Sequence, residues 1–173
     1  SVLGDYEKDI NLSIAKRLEK ILKKAGYNVV MTRKSDEGLY SESSTGKKSE
    51  DMRKRCAIID SSDAVAAISI HQNSYHEENV KGAQVFFYKN SEDGKQLAEC
   101  LQESLINELD KTNIRQAKSN DSYYILRKTQ TPTVIVECAF LSNYEEAALI
   151  IEEDYQNKVA KAILSGLKNY LEQ

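Results

Sequence analysis

"TVIVECAFL", residues 133–141, is a short and almost continuous apolar run that is rich in β-branched residues. This pattern is typical of a central strand buried on both faces, as in parallel sheets. Elsewhere in the chain, strand-like runs alternate with helical patterns, which favours an α/β fold. The sequence therefore predicts a single α/β domain with a mostly parallel, twisted sheet flanked by helices.

The periodicity of apolar residues predicts the elements around this strand. A helix is predicted at 7–25, where apolar residues recur every three or four positions and Gly26 follows. The polar segment 35–51 is predicted to be a long surface loop. Further strands are predicted at 27–32, 64–71 and 82–88. Further helices are predicted at 50–61, 94–109, 143–151 and 154–173.

Composition excludes several classes of protein. The net charge of −3 and the pI near 5.5 lack the basic footprint of a nucleic-acid-binding protein. No apolar run approaches the ~20 residues that a membrane-spanning helix needs, so no transmembrane segment is predicted in this chain. Cys56, Cys100 and Cys138 lack the CxxC spacing of a structural zinc site and are predicted to be buried thiols.

Three ionisable residues are predicted to lie on one rim of the sheet. In βα units, the carboxyl ends of strands and the amino ends of helices lie along the same edge, where ligands bind. His71 ends a strand, Glu7 opens the first helix on its apolar side, and Glu137 lies inside the central strand. The predicted topology therefore brings together three groups from distant parts of the chain.

Each of these residues also has a purely structural interpretation. Glu7 alone is explained by a favourable interaction with the helix dipole, which contributes ~0.3–1 kcal/mol. His71 alone is explained as a core histidine that is hydrogen-bonded to a backbone carbonyl. Glu137 is harder to explain, because ionising a carboxylate inside an apolar strand costs several kcal/mol without a partner. Two carboxylates and an imidazole suit a zinc hydrolase, in which a carboxylate that does not bind the metal takes the proton. His76 lies in a polar loop and is predicted to be on the surface.

The resemblance to a known family is carried by four segments, "YEKDINLSIAKRLEKILKKAGYNVVMTRKSD", "RCAIIDSSDAVAAISIHQNS", "KGAQVFFY" and "PTVIVECAFLSNYEEAALI". They resemble the zinc-dependent N-acetylmuramoyl-L-alanine amidases, which are peptidoglycan hydrolases with a twisted sheet packed by helices. The segments occur in the family's order and cover almost the whole chain. "EGLYSESSTGKKSEDMRKR" and "SYYILRKTQTP" are most similar to the spore-cortex branch of CwlD-like germination amidases.

This resemblance implies a role for each of the three rim residues. Glu7 in "EKD" and His71 in "SIHQN" match zinc ligands, and Glu137 in "VECAFLSN" matches the catalytic glutamate. Family members carry a further histidine ligand in a Gly-rich turn after a first strand, and this sequence has no such turn. The first strand and that histidine are expected upstream of Ser1; if they are absent altogether, zinc binding is in doubt.

Other polar residues are predicted around the same cleft. Asn73 and Gln72 are expected to face it and to bind polar groups of the substrate or orient the zinc ligands. Arg127 in "YYILRK" is predicted to bind a substrate carboxylate or to stabilise the oxyanion, with a solvated cation as the alternative. Arg55 matches a family arginine for which we predict a structural role.

The expected function is zinc-dependent hydrolysis of the amide between N-acetylmuramic acid and L-alanine in peptidoglycan. The resemblance places this activity outside the cytoplasmic membrane, in the cell wall or the forespore intermembrane space, before a separate enzyme forms muramic lactam. A regulatory protein partner is expected to contact the loop at 35–51. One alternative is an amidase-like domain without zinc that acts as a wall-binding or regulatory module. Another is a doubly wound nucleotide-binding domain, which is disfavoured because GxGxxG and P-loop sequences are absent.

Overall fold

The computed structural model describes all of residues 1–173 and has a four-stranded sheet with helices on both faces, which confirms the α/β prediction. The strands are β1 Ala67–Asn73, β2 Gln84–Tyr88, β3 Lys118–Asn120 and β4 Thr133–Phe140. The helices are α1 Glu7–Lys24, α2 Lys47–Ser61, α3 Glu92–Leu109, α4 Tyr124–Lys128, α5 Tyr144–Ile150 and α6 Glu153–Leu171.

The strands lie in the order β1-β4-β2-β3. The β1–β4 and β2–β3 pairs are parallel, whereas β2 runs antiparallel to β4. Strand β4 is central, and all eight of its residues are buried, as its apolar run predicts. The register places His71 of β1 and Gln84 of β2 opposite Glu137, on either side of it. Directly opposed residues share one face of a sheet, so these three side chains emerge together.

The two faces of the sheet are covered very differently. One face, which we call the core face, carries Val85, Val134 and Val136 and packs against α1, α3 and α6 in a cluster of 22 buried residues. The other, which we call the site face, carries Phe86 and Ile135 and packs against α2 and α4 in a cluster of only 6 buried residues. The smaller cluster reaches Ile135 on β4, and Glu137 follows two residues later on the same face.

Most predicted elements form within a few residues of their expected bounds, but the strand predicted at 27–32 is wrong. No strand forms there, and Val30 is 60% exposed. A β-branched run becomes a strand only where a neighbouring strand pairs with it, and no such neighbour is present. The loop expected at 35–51 ends earlier, because α2 begins at Lys47. Strand β3 and helix α4 were not predicted, since they are too short for periodicity to mark them.

Arg55 connects the polar segment before α2 to that helix through hydrogen bonds. Its guanidinium donates to Asp51 Oδ2 at 2.5 Å and to Thr32 Oγ1 at 2.9 Å. Asp51 in turn accepts from the backbone N–H of Leu39 at 2.7 Å. Arg55 therefore joins α2 to the preceding segment, directly at Thr32 and through Asp51 at Leu39, which is a structural role. All three cysteines are free and buried, and no helix has the length and hydropathy that a membrane-spanning segment needs.

Candidate active site

The first residue of α1 reaches the open edge of the sheet. Strand β1 is outermost, and the backbone N–H of Gln72 donates to Glu7 Oε1 at 3.2 Å. His71 Nδ1 lies 3.0 Å from the same oxygen, and Asn11 Nδ2 donates to it at 3.2 Å from one turn further along α1. The hydrogen bond with His71 is the main reason that the pKa of Glu7 is lowered to about 2. Glu7 is therefore an anion held by three groups at the carboxyl end of β1.

Glu7 and His71 remain within reach of solvent. Their side chains are 43% and 45% exposed, although they touch each other. A carboxylate oxygen and an imidazole nitrogen are both ligands that zinc accepts. Glu7 also lines an open cavity of about 380 Å³ together with Gln72 and Asn73.

Glu137 has the opposite environment, although it lies beside His71 in the sheet. It is 7% exposed, and its buried Oε2 has no hydrogen-bond partner. Burial is the main cause that raises the pKa of Glu137 to about 7, and the charge of Glu7 adds to it while His71 opposes it. A carboxyl group that titrates near neutral pH is suited to general base and acid work.

The structure thus brings together the three residues that the sequence placed on one rim. It does not complete a metal site, because no group of three or more His, Cys, Asp or Glu side chains converges anywhere in the chain. His76 does not supply a third ligand. Its side chain is 73% exposed and lies 3.5 Å from Glu77, at the surface as predicted. Residues 1–173 therefore offer two candidate zinc ligands and one candidate base.

Gln72 was expected to face the cleft and to bind substrate or orient the zinc ligands, and the structure has it lining the open cavity together with Glu7 and Asn73. Side chains alternate along a strand, so Gln72 lies on the opposite face from His71 and Asn73. It is only 6% exposed, and its amide Nε2 donates to Asn11 Oδ1 at 3.1 Å. Because Asn11 also binds Glu7, Gln72 orients the carboxylate from behind. Asn73 lines the same open cavity beside Glu7.

Helix α4 carries Arg127 on the site face, together with a residue that the sequence did not single out. Arg127 is exposed, and Tyr123 is the N-cap residue of this helix. The Tyr123 ring packs edge-on against Phe86, with centroids 5.8 Å apart. Phe86 pairs with Ile135, two residues before Glu137 on the same face.

Tyr123 therefore belongs to the surroundings of the site. Burial raises its pKa, and the charges of Glu137 and Glu7 raise it further. The hydroxyl stays protonated at neutral pH, and it is 38% exposed as a residue, so it can donate a hydrogen bond to a bound molecule. A tyrosine in a polar segment has no periodic signal, and only the contact with Phe86 identifies its position.

Known proteins resemble this chain over nearly its full length. A family model described as N-acetylmuramoyl-L-alanine amidase matches residues 2–169. The germination-specific N-acetylmuramoyl-L-alanine amidase of Bacillus subtilis is 36% identical over 167 residues, which cover 95% of this chain and 70% of that protein. The probable cell wall amidase LytH of Staphylococcus epidermidis is 29% identical over 164 residues, 95% of this chain and 50% of that protein. The CwlD amidase of Clostridioides difficile, solved in complex with the GerS lipoprotein, superposes with a TM-score of 0.95 at 40% identity, covering 98% of this chain and 88% of that one.

Proposed function

This chain belongs to the N-acetylmuramoyl-L-alanine amidase family, and we propose that it hydrolyses the bond between N-acetylmuramic acid and L-alanine in peptidoglycan with zinc as cofactor. The observation that carries this proposal is Glu137. A buried carboxylate with an unpartnered oxygen is costly to keep unless it serves the reaction. Its place opposite His71 puts it next to both candidate ligands.

The residues present fit a zinc ion on one side of the cleft. Glu7 and His71 would hold it, and Asn11 and Gln72 keep the Glu7 carboxylate oriented. Bound zinc polarises a carbonyl and activates water at neutral pH. The unpartnered Oε2 of Glu137 also needs a polar group beside it, which supports a hydrated ion in this place.

Glu137 would act as both base and acid in the hydrolysis. Its pKa of about 7 leaves a large ionised fraction at neutral pH, so the carboxylate takes a proton from the attacking water. The protonated carboxyl group then donates this proton to the leaving amine of L-alanine. We propose that the scissile amide reaches Glu137 through an opening on the site face at the carboxyl end of β4. Asn73 and Arg127 would bind polar groups of the substrate on the two sides of this opening.

A catalytic zinc site uses three protein ligands, and residues 1–173 supply two. We propose that the third is a histidine outside these residues, on a strand that pairs with the outer edge of β1. That edge has no strand partner within 1–173, and Glu7 lies against it. This proposal makes residues 1–173 the larger part of one catalytic domain. On its own this segment should fold poorly and bind zinc weakly.

Metal content and activity on peptidoglycan, measured on the same samples of the full-length protein, test these roles. His71→Ala should lose zinc and hydrolysis together, because a ligand is removed. Glu137→Ala should retain zinc and lose hydrolysis, because the base is not a ligand. His76→Ala is the matched control and should retain both. Loss of zinc from Glu137→Ala with retention in His71→Ala would mean that the roles are reversed. A wild-type protein that binds wall without zinc would support the alternative of a binding or regulatory module.

The biological setting is proposed from the relatives. The names of the relatives refer to germination and to the cell wall, so we propose action outside the cytoplasmic membrane, in spore cortex maturation. Removal of the peptide would leave muramic acid for a separate enzyme to convert to muramic lactam. Comparing the cortex of cells with and without the gene, by analysis of muropeptides, tests this setting. Muramic lactam at equal levels in both would refute it.

A regulatory protein partner is proposed for the loop before α2. The Lys8 ammonium pairs with Asp36, and Arg33 Nη2 donates to the Lys8 carbonyl at 2.5 Å. Because Lys8 follows Glu7, a partner that moves this loop would act next to a zinc ligand. The CwlD amidase of Clostridioides difficile was solved with the GerS lipoprotein, which makes that lipoprotein the first probe. Co-elution that survives the Asp36→Lys substitution would argue against this contact.

A further inference from the structure

Arg115, in the segment between α3 and β3, has a guanidinium that is fixed on several sides. Its Nε donates to the Lys81 carbonyl at 2.8 Å, and its Nη1 donates to Gln84 Oε1 at 3.2 Å. Its Cζ lies 4.7 Å from the centroid of the Phe140 ring. Two hydrogen bonds and a cation–π contact leave the planar group little freedom, so it is already oriented before any ligand arrives.

This fixed cation lies on the same rim as the catalytic carboxylate. Gln84, which holds Arg115, is opposite Glu137 in the register of β2 and β4. Phe140, which Arg115 covers, pairs with Asn73 beyond an irregularity in the β1–β4 register. Since β1 and β2 flank β4 on opposite sides, Arg115 lies across Glu137 from His71.

The charge of Arg115 has no carboxylate partner in the protein, and its Nη2 makes no hydrogen bond. Burial raises the pKa of Glu146, and the charge of Arg115 opposes this shift. The two carboxylate oxygens of Glu146 accept hydrogen bonds from the backbone N–H groups of Phe140 and Gly82 at 2.7 and 2.8 Å. Glu99 and Glu103 of α3 line a cavity of about 320 Å³ with Arg115, and neither forms an ion pair with it. A partly buried, oriented guanidinium without a counter-ion is suited to bind a carboxylate through charge-assisted hydrogen bonds.

We infer that Arg115 forms a subsite for a carboxylate of the substrate's peptide, an inference that rests on the proposed cleavage. The candidate metal ligands occupy the β1 side of Glu137, and the fixed cation occupies the β2 side. The amine half of the scissile amide carries the peptide, whose free carboxylates lie beyond the first residue. With the amide at Glu137, the peptide runs over the start of β2 and brings a carboxylate to Arg115. Arg115 is thus a residue that determines specificity.

Two matched substrates test this subsite, a soluble muropeptide with free peptide carboxylates and the same molecule with these carboxylates amidated. The zinc-loaded wild-type enzyme should prefer the free form. Arg115→Gln should lower kcat/KM for the free form about 10- to 100-fold, mainly through KM, because a charged hydrogen bond is lost. For the amidated form, kcat/KM should change less than about threefold. Arg53→Gln, an exposed arginine of α2, is the matched control and should change neither.

The outcomes separate the subsite from the reaction itself. Equal losses with both substrates, or no loss with either, would overturn the subsite. If wild type and Arg53→Gln cleave neither substrate, the proposed cleavage fails and the subsite fails with it. Arg115→Lys decides the case in which Arg115→Gln does not fold, since lysine retains the charge. This variant should still prefer the free form, although less than wild type does, and equal rates with both forms would refute the inference.

Discussion

Replacing Glu137 by glutamine should remove activity and yet stabilise the metal-free protein. The folded protein holds the proton of Glu137 more tightly than the unfolded chain, because burial raises its pKa from 4.5 to about 7. Ionisation therefore destabilises the fold progressively as the pH rises from 4.5 to 7. The linkage relation makes this penalty about 1 kcal/mol at pH 5 and about 3 kcal/mol at pH 8. Glutamine imitates the protonated side chain at every pH and carries no such penalty.

Thermal melts of the full-length protein in the presence of a chelator measure the effect. A protein of this size gains roughly 2–4 °C in Tm per kcal/mol, so Glu137→Gln should gain about 4–8 °C more at pH 8 than at pH 5. Any cost of burying the amide itself is the same at both pH values and cancels in this comparison. Glu78→Gln, at an exposed position, is the control and should show no such difference.

The comparison between the two pH values is decisive. If Glu137→Gln shifts Tm equally at pH 5 and pH 8, ionisation of the Glu137 carboxyl group does not destabilise the folded protein. If the variant is selectively less stable at pH 8, the ionised form must have a favourable partner in the metal-free protein. Either result would remove the physical argument that assigns Glu137 to catalysis.

Three further predictions follow from particular contacts. Tyr123→Phe should lower kcat about 10-fold or more with little change in KM, because the tyrosine hydroxyl donates to the developing oxyanion. The neighbouring Tyr124→Phe should leave kcat unchanged, and equal rates for the two variants in steady-state assays would contradict this role. Gly166→Ala should lower Tm, because a Cβ at this position would lie 2.7 Å from the Leu101 Cα. Overpacking of this kind costs about 1–3 kcal/mol of stability, and an unchanged Tm would show that α3 and α6 move apart easily. A thiol titration in denaturant should find three free thiols per chain, and a count of one would reveal a disulfide.

The candidate site was predictable where one residue type contradicted its surroundings. Glu137 interrupts an apolar run, and a charge inside a buried strand needs an explanation whatever the topology. His71 and Glu7 were found in the same way, as polar residues at the ends of apolar patterns. The βα rule then placed these ends on one rim, and the structure has Glu7 and His71 in contact at 3.0 Å. Their roles as ligands and base remain predictions.

The sequence could not reveal residues whose function depends on a neighbour from elsewhere in the chain. Tyr123 and Arg115 lie in irregular segments, and their positions follow only from the rings of Phe86 and Phe140 beneath them. For Gln72 the sequence left open whether it binds substrate or orients a ligand, because one position along a strand reverses the face that a side chain occupies. Gln72 lines the cavity with Asn73, and its amide also donates to Asn11, which in turn donates to Glu7.

The sequence by itself determined which segments have a buried side, and hence the α/β class and the central position of β4. Apolar periodicity is a local property, because each helix or strand must bury the same stripe wherever its partner lies. Only the tertiary structure decided pairing: that 27–32 forms no strand, that β2 runs antiparallel to β4, and that Gln84 and His71 flank Glu137. Pairing depends on hydrogen bonds between residues far apart in the chain, and a backbone N–H or C=O group is the same whichever side chain it carries.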